Sequence, residues 1–268
     1  MPSGIYERIK ILGDKIIYKN RHWLENKYWK ENLSTEQMSK ISGVRKRTIQ
    51  LWMKGFNILL RSRGRAIHLS KINYCNLSQE AIEWINGELL GDGCLSSRSQ
   101  HSARFQYASK YLEYIQYISD TLKSFGIKQS GEIRKYYIKN THTNIYHYAS
   151  YSYPEFLSIY KKWYPEGKKI IPKDLKLTSL TCRQWYIGDG SLTHVKGKAR
   201  PLISIATCGF NISDVEWIIE QLIKLGFKIT RWPSENIICI SAYSVKEFLN
   251  YIGDCPIQCY QYKFSYRF

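Results

Sequence analysis

Two short stretches, "ELLGDGCL" at residues 88–95 and "WYIGDGSL" at residues 185–192, carry the residue types best suited to chemistry. Each sets one carboxylate, Asp92 or Asp189, between two glycines at the end of an apolar run that reads as a helix. An acid at a helix C-terminus faces the negative pole of the macrodipole, which costs some tenths of a kcal/mol up to about 1 kcal/mol. Where two such helices pack side by side, the carboxylates also repel each other. A divalent cation offsets both terms, and hard oxygen ligands select Mg²⁺, with Mn²⁺ able to substitute. The expected metal ligands are therefore Asp92 and Asp189, with the backbone of Gly91 and Gly188 beside them. Two acids and a metal in a basic chain suit the activation of water against a phosphodiester and the stabilisation of a departing 3′ oxygen.

The elements that must position these acids form a repeat. Gly91-Asp92-Gly93 recurs at Gly188-Asp189-Gly190, "DTLKSFGIK" (120–128) at "EQLIKLGFK" (220–228), and "SYPEFL" (152–157) at "SVKEFL" (244–249). Three landmarks in the same order predict two copies of one unit, residues 75–175 and 176–268. Each copy reads as a helix ending at Gly-Asp-Gly, two strand-like stretches, an amphipathic helix stopped by Gly126 or Gly226, more strand and a short helix. The fold class is α+β, with helices on antiparallel sheets. Gly87-x-x-x-Gly91 supplies small residues for a close helix crossing in copy one, whereas copy two has Gln184 and Gly188.

Composition sets the partner class. Forty Lys and Arg against 22 Asp and Glu give a net charge of +18, the electrostatic footprint of a protein that binds a polyanion. Nucleic acid leads, ahead of ribosomal or membrane-surface attachment or a basic composition with no function. No apolar run is long enough to span a bilayer and "MPSGIYERIK" has no signal-peptide core, so the expected location is intracellular, in the cytoplasm with the nucleoid or in an organellar matrix. Seven Cys with irregular spacing and no C-x-x-C pair predict neither a zinc site nor a disulfide framework, and Cys255 and Cys259 read as packing residues.

"INGELLGDG" (85–93) and "CRQWYIGDG" (182–190) resemble the namesake motifs of the LAGLIDADG homing endonucleases in their single-chain, two-motif form. The similarity extends over residues 77–268 and includes "GKKIIP" and "YQYKF" near the ends of the two halves. It implies two α-β-β-α-β-β-α halves forming a saddle whose sheets lie in the DNA major groove. Asp92 and Asp189 would be the catalytic acids, and Lys169 (or Lys168) and Lys263 the lysines near the scissile phosphates. DNA contacts would come from Arg104, Gln106, Arg134, Lys135, Lys196, Lys198, Arg200 and Arg231, with Gln106 and Thr207 as DNA-facing residues of central strands. The chain departs from the family at Leu90 and Ile187, where an earlier motif acid occurs, and at Gln184, where a packing glycine is usual.

Ahead of the repeat, "LSTEQMSKISGVRKRTIQLWMKGF" (33–56) places Ser34 three residues before Gln37 as a capping box, Gly43 at a tight turn, and Arg45, Lys46, Arg47 and Gln50 on a second helix. Met38, Ile41, Val44, Ile49 and Trp52 have the spacing of an inner face. Residues 1–60 thus read as a helix-turn-helix whose second helix would enter a major groove. Residues 61–74 read as a basic linker in which Arg61, Arg63 and Arg65 track DNA.

The expected protein is a monomeric, Mg²⁺-dependent endonuclease that cuts a long asymmetric site. A maturase acting on intron RNA and a non-catalytic DNA-binding regulator on the same scaffold are the rival readings.

Overall fold

The computed structural model describes residues 17–61, 73–193 and 201–265. The chain forms two compact units, residues 1–72 and 73–268.

In the first unit a short helix, Arg21–Glu25, precedes α1 (Thr35–Ser42) and α2 (Lys46–Gly55). Ser34 and Gln37 form the reciprocal capping box that their spacing announces, with Gln37 N donating to Ser34 Oγ and Ser34 N to Gln37 Oε1. Gly43 ends α1 at φ +66°, a conformation that only glycine adopts without strain. Leu24, Tyr28, Met38, Ile49, Met53 and Ile58 build the core, with Val44 and Trp52 packed on its edge. Ile41, expected inside, is 51% exposed. The stripe that α1 buries runs through Thr35, Met38, Ser39 and Ser42, and Ser42 can be buried because its hydroxyl donates to the Met38 carbonyl.

The second unit repeats one pattern of elements. Its first half contains α3 (Gln79–Leu90), β1 (Cys94–Ser99), β2 (Ser102–Ser109), α4 (Leu112–Ser124), β3 (Arg134–Ile138), β4 (Thr143–Ala149) and α5 (Pro154–Trp163). Its second half contains α6 (Ser179–Asp189), β5 (Gly190–Thr193), β6 (Leu202–Ala206), α7 (Ile212–Lys224), β7 (Ile229–Trp232), β8 (Ile237–Ile240) and α8 (Val245–Ile252). A short helical turn over Gln258–Lys263 follows. The sheets are antiparallel and run β1-β2-β4-β3 and β5-β6-β8-β7, the same order twice.

Alternation fixes which face of each sheet meets the helices. Ala103, Phe105 and Tyr107 on β2, and Ile203 and Ile205 on β6, point inward and are buried. Arg104, Gln106 and Ser204 lie on the opposite face. A single apolar core runs through both halves, from Trp84 and Leu89 of α3 through Trp185 and Ile187 of α6 to Phe248 of α8.

α3 and α6 cross at the centre of this core. A Cβ on Gly87 would fall 2.6 Å from the Thr181 carbonyl oxygen and 2.7 Å from Gln184 Cβ, so the crossing admits no larger residue there. Glycine is needed on one helix only, because the space it leaves receives Gln184, whose amide donates to Tyr117 Oη at 3.3 Å. Further along, Gly91 and Gly188 set the two backbones against each other, each Cα within about 3.6 Å of where the other's Cβ would lie. Thr181 Oγ1 donates to the Glu83 carbonyl, and Thr178 Oγ1 to the Glu83 carboxylate, which pins the N-terminal end of α6 to α3. Gly87→Ala is expected to overpack this crossing by about 1–3 kcal/mol, lowering the thermal midpoint by on the order of 5 °C. Calorimetry checks it against Gly209→Ala, where no neighbour lies within 4 Å of the added Cβ and the backbone is not left-handed.

Candidate active site

Both Gly-Asp-Gly turns are built so that no other residue fits the glycine after the acid. A Cβ on Gly93 would lie 2.6 Å from the Glu88 carbonyl oxygen, which accepts a hydrogen bond from Gly93 N at 2.8 Å. A Cβ on Gly190 would lie 2.0 Å from the Tyr186 ring. Asp189 is the last residue of α6, and Asp92 follows Gly91, the C-cap of α3. The helix crossing thereby delivers two carboxylates to one place, and the charge of Asp92 acts on Asp189.

Two lysines, 94 positions apart, answer the helix ends in parallel fashion. Lys169 Nζ donates to the carbonyls of Gly91 and Gly93, both at 3.0 Å. Lys263 Nζ donates to the carbonyls of Ile187 at 2.6 Å and Gly188 at 3.1 Å. Each ammonium therefore satisfies carbonyls that the end of its helix leaves open, and its charge opposes the negative pole on which the adjacent Asp sits. Lys168, the alternative candidate, is exposed, whereas Lys169 is half-buried.

Burial and charge pull against each other here. Burial, with a smaller contribution from Asp92, pushes the Asp189 carboxyl up to about 7, although Lys169 and Lys263 draw it down. Burial draws Lys263 down to about 8 and also lowers Lys169, while Asp189 and Asp92 hold both up. Asp189 and the two lysines thus act on one another, and the charge of Asp92 acts on all three, in a site that water partly reaches.

Sequence reasoning missed a third carboxyl, Glu88, one helical turn before Asp92. It is buried, accepts a hydrogen bond from Tyr114 Oη at 2.7 Å, and is pushed up to about 8, chiefly by burial. An acid inside the otherwise apolar run "INGELLGDG" is the signal that could have found it. The matching position of α6 is Trp185, so this feature belongs to one half only.

Among the described residues, no group of three or more His, Cys, Asp and Glu gathers as metal ligands. The centre instead offers two carboxylates and nearby carbonyls, of which those of Gly91 and Gly188 also accept from the lysines. A donor set of few hard oxygens fits a small divalent cation that keeps most of its water, such as Mg²⁺, better than zinc or a fully caged calcium.

The expected DNA contacts divide. Arg45, Lys46 and Arg47 are exposed and Gln50 half-exposed on α2 or its N-cap, where Lys46, Arg47, Gln50 and Lys54 border one open cleft. Arg104, Gln106 and Arg134 converge with His147 on the outward face of the first sheet. There Ser96 Oγ donates to Gln106 Oε1 at 2.6 Å, and Arg104 Nε donates to Ser96 Oγ at 3.3 Å. Lys135 is exposed, but its strand partner is Tyr146, on the opposite face of the sheet from the Arg134–His147 pair. A period of two separates adjacent residues in this way.

Lys135 therefore leaves the expected DNA-facing set, and three further expectations are corrected. Arg231 pairs with Ile238 on the helix-facing side of the second sheet, where it meets Glu216 at 3.6 Å and Asn236 at 3.1 Å. Arg61 is buried, its guanidinium 3.9 Å from the Tyr28 ring and bonded to the Asn32 and Leu33 carbonyls. It closes the first unit's core instead of tracking a polyanion. Thr207 is 1% exposed, and its hydroxyl donates to the Asn236 carbonyl. The registers Cys94↔Gln106 and Ser191↔Ser204 make Ser204, not Thr207, the counterpart of Gln106. Arg63, Arg65, Lys196, Lys198 and Arg200 lie outside the described residues.

Comparison with known proteins agrees with this architecture. The sequence model of the LAGLIDADG DNA endonuclease family matches residues 82–248, more than half of the chain. An uncharacterised protein of Methanocaldococcus jannaschii is 26% identical over 205 residues, covering 73% of this chain and 75% of that protein. A cytochrome b mRNA maturase of Debaryomyces hansenii is 26% identical over 172 residues, covering 58% of this chain and 60% of its own length. Among solved structures, the homing endonuclease I-WcaI bound to its DNA recognition sequence superposes with a TM-score of 0.63 at 22% identity, over 80% of this chain and 99% of that one. The repeated α-β-β-α-β-β-α unit, the paired Gly-Asp-Gly turns and the family match together show that this chain belongs to the LAGLIDADG DNA endonuclease family.

Proposed function

We propose that the protein is a site-specific, Mg²⁺-dependent endonuclease that binds a long asymmetric DNA site as a monomer and cuts both strands. The observation that carries the reading is the delivery of Asp92 and Asp189, with Lys169 and Lys263, to one partly buried centre at the ends of α3 and α6, in a chain whose two sheets share one topology. Asp92 and Asp189 would hold the cation, with the Gly91 and Gly188 carbonyls beside them. Bound there, it would lower the pKa of water and neutralise charge on the departing 3′ oxygen. Each lysine spends two of its three ammonium protons on carbonyls, which leaves one for a phosphate oxygen. Arg104, Gln106 and Arg134 would read base edges in the major groove, and Arg104 and Arg134 suit guanine.

Residues 1–60 would add a helix-turn-helix module, with α2 presenting Arg45, Lys46, Arg47 and Gln50 to a second stretch of groove. Residues 61–74 would serve as its linker to the halves 75–175 and 176–268. Binding would weaken steeply with salt as phosphates are neutralised. Among the described residues no helix is long and apolar enough to cross a membrane.

The relative named as a cytochrome b mRNA maturase favours a second reading, in which the chain assists splicing of an intron RNA. The two readings separate by direct comparison of binding to duplex DNA and to the transcript surrounding the gene.

Cleavage is tested on DNA made by joining the sequences that flank the gene, in the presence of Mg²⁺. The wild type is expected to linearise it, and Asp92→Asn and Asp189→Asn to lose at least about 100-fold in rate. Binding without cutting in either Mg²⁺ or Mn²⁺ would refute the endonuclease reading.

The raised Asp189 value sets a pH dependence. Below about 7 a proton competes with the cation for this carboxylate, so cleavage at limiting Mg²⁺ should rise as pH increases through that value and then level off. More Mg²⁺ should move the midpoint to lower pH. A midpoint that does not respond to Mg²⁺ would assign the titration to another group.

A further inference from the structure

Several buried polar atoms have no hydrogen-bond partner among the described residues, and one of them, Tyr107 Oη, lies at the Gly-Asp-Gly crossing. Tyr107 is on β2, 2% exposed, with its ring packed edge-on to Tyr114 at 5.4 Å between centroids. Its hydroxyl is 3.8 Å from where a Cβ on Gly188 would lie, a point whose other neighbours are Gly91 Cα and Asp92 N. Burial above all, and after it the charges of Glu88, Asp92 and Asp189, hold its phenol well above the ordinary value, so the hydroxyl is a proton donor at neutral pH. A buried hydroxyl without a partner costs about 1–3 kcal/mol, so a phenylalanine here would be the more stable choice unless the hydroxyl has something to bind.

The second half has no such group. The first sheet's register, continued one residue from Cys94↔Gln106, sets Tyr107 opposite Gly93, and Gly190↔Ile205 places Ile205 at the matching position. Glu88 is likewise matched by Trp185. The environments of the two carboxylates are therefore chemically unequal, although the backbones around them repeat.

The geometry points to Tyr107 as a positioning residue of the centre: its hydroxyl donates to a water bound between Asp92 and Asp189 in the cation's hydration shell, and Ile205 leaves the other half without this support. The two strands of the DNA are then cut at unequal rates. This inference rests on the endonuclease reading for its second half, the unequal cutting, and on metal binding alone for its first.

Tyr107→Phe keeps the ring and removes only the hydroxyl. Two readouts test it. In thermal unfolding without divalent ions, the variant should be at least as stable as the wild type. With Mg²⁺ added, the wild type should gain in thermal midpoint, and the variant should gain less than half as much, because a ligand stabilises in proportion to its affinity for the folded state. On duplex target labelled separately on each strand, one strand should be cut about tenfold more slowly by the variant and the other within twofold of wild type, so that nicked DNA accumulates.

Equal Mg²⁺ shifts in the two proteins, zero included, overturn the positioning role whatever the cleavage data show. Equal slowing of both strands, or of neither, overturns the asymmetry. If the wild type shows the Mg²⁺ shift and never cuts, the endonuclease reading fails while the role of Tyr107 in metal binding is still decided by the first readout.

Discussion

The contact of α3 with α6 is the constraint on which the rest depends. Gly87 lets the helices cross closely enough for Gln184 to enter the gap, and Gly91 meets Gly188 backbone to backbone further along. That approach fixes where the two helices end and so where Asp92 and Asp189 stand. It also joins the two halves into a single apolar core, so the sheets of both halves are held by the same contact that brings the acids together. Loosening the crossing would separate the carboxylates and the sheets at once.

Placing two acids at the negative ends of two helices is electrostatically unfavourable, and the structure compensates locally. Lys169 and Lys263 each bridge a pair of carbonyls at a helix end, supplying positive charge where the dipole and the carboxylate both need it. Lys263 is itself located by the core, because its own carbonyl accepts from Tyr186 Oη at 2.6 Å and its ammonium stands 4.8 Å from the Tyr260 ring centroid. Burial, and after it the charge of Asp92, still hold the Asp189 carboxyl high against both lysines. A cation bound there would add charge beside a carboxylate that burial disfavours.

The backbone plan was legible in the sequence because it follows from periodicity and punctuation. Gly126 and Gly226 lie two residues beyond α4 and α7, and the capping box at Ser34 opens α1. The pairing of Lys169 and Lys263 with the two motifs came from resemblance, and the structure gives it a physical form. What failed was the assignment of side chains to faces. Arg231 and Lys135 are basic residues on strands, and charge does not say which side of a sheet a residue occupies. That follows only from register, which the sequence leaves open by one residue. Arg61 shows the same limit for a linker, since nothing in "RSRGR" reveals that Tyr28 waits to stack on it. Glu88 and Tyr107 were hidden for another reason. Tyr107 sits at an inward position of β2 where an aromatic ring reads as core, Glu88 stands out only as an acid within an apolar helix, and the meaning of both comes from the half of the repeat that lacks them.

The central claim, that one helix crossing makes a two-carboxylate cation site, is most directly tested by anomalous diffraction from crystals of the protein soaked in Mn²⁺. The account predicts anomalous density between α3 and α6 at about 2.2 Å from carboxylate oxygens of both Asp92 and Asp189, lost in Asp189→Asn. Density confined to one carboxylate, or Mn²⁺ bound only elsewhere on the chain, would contradict it.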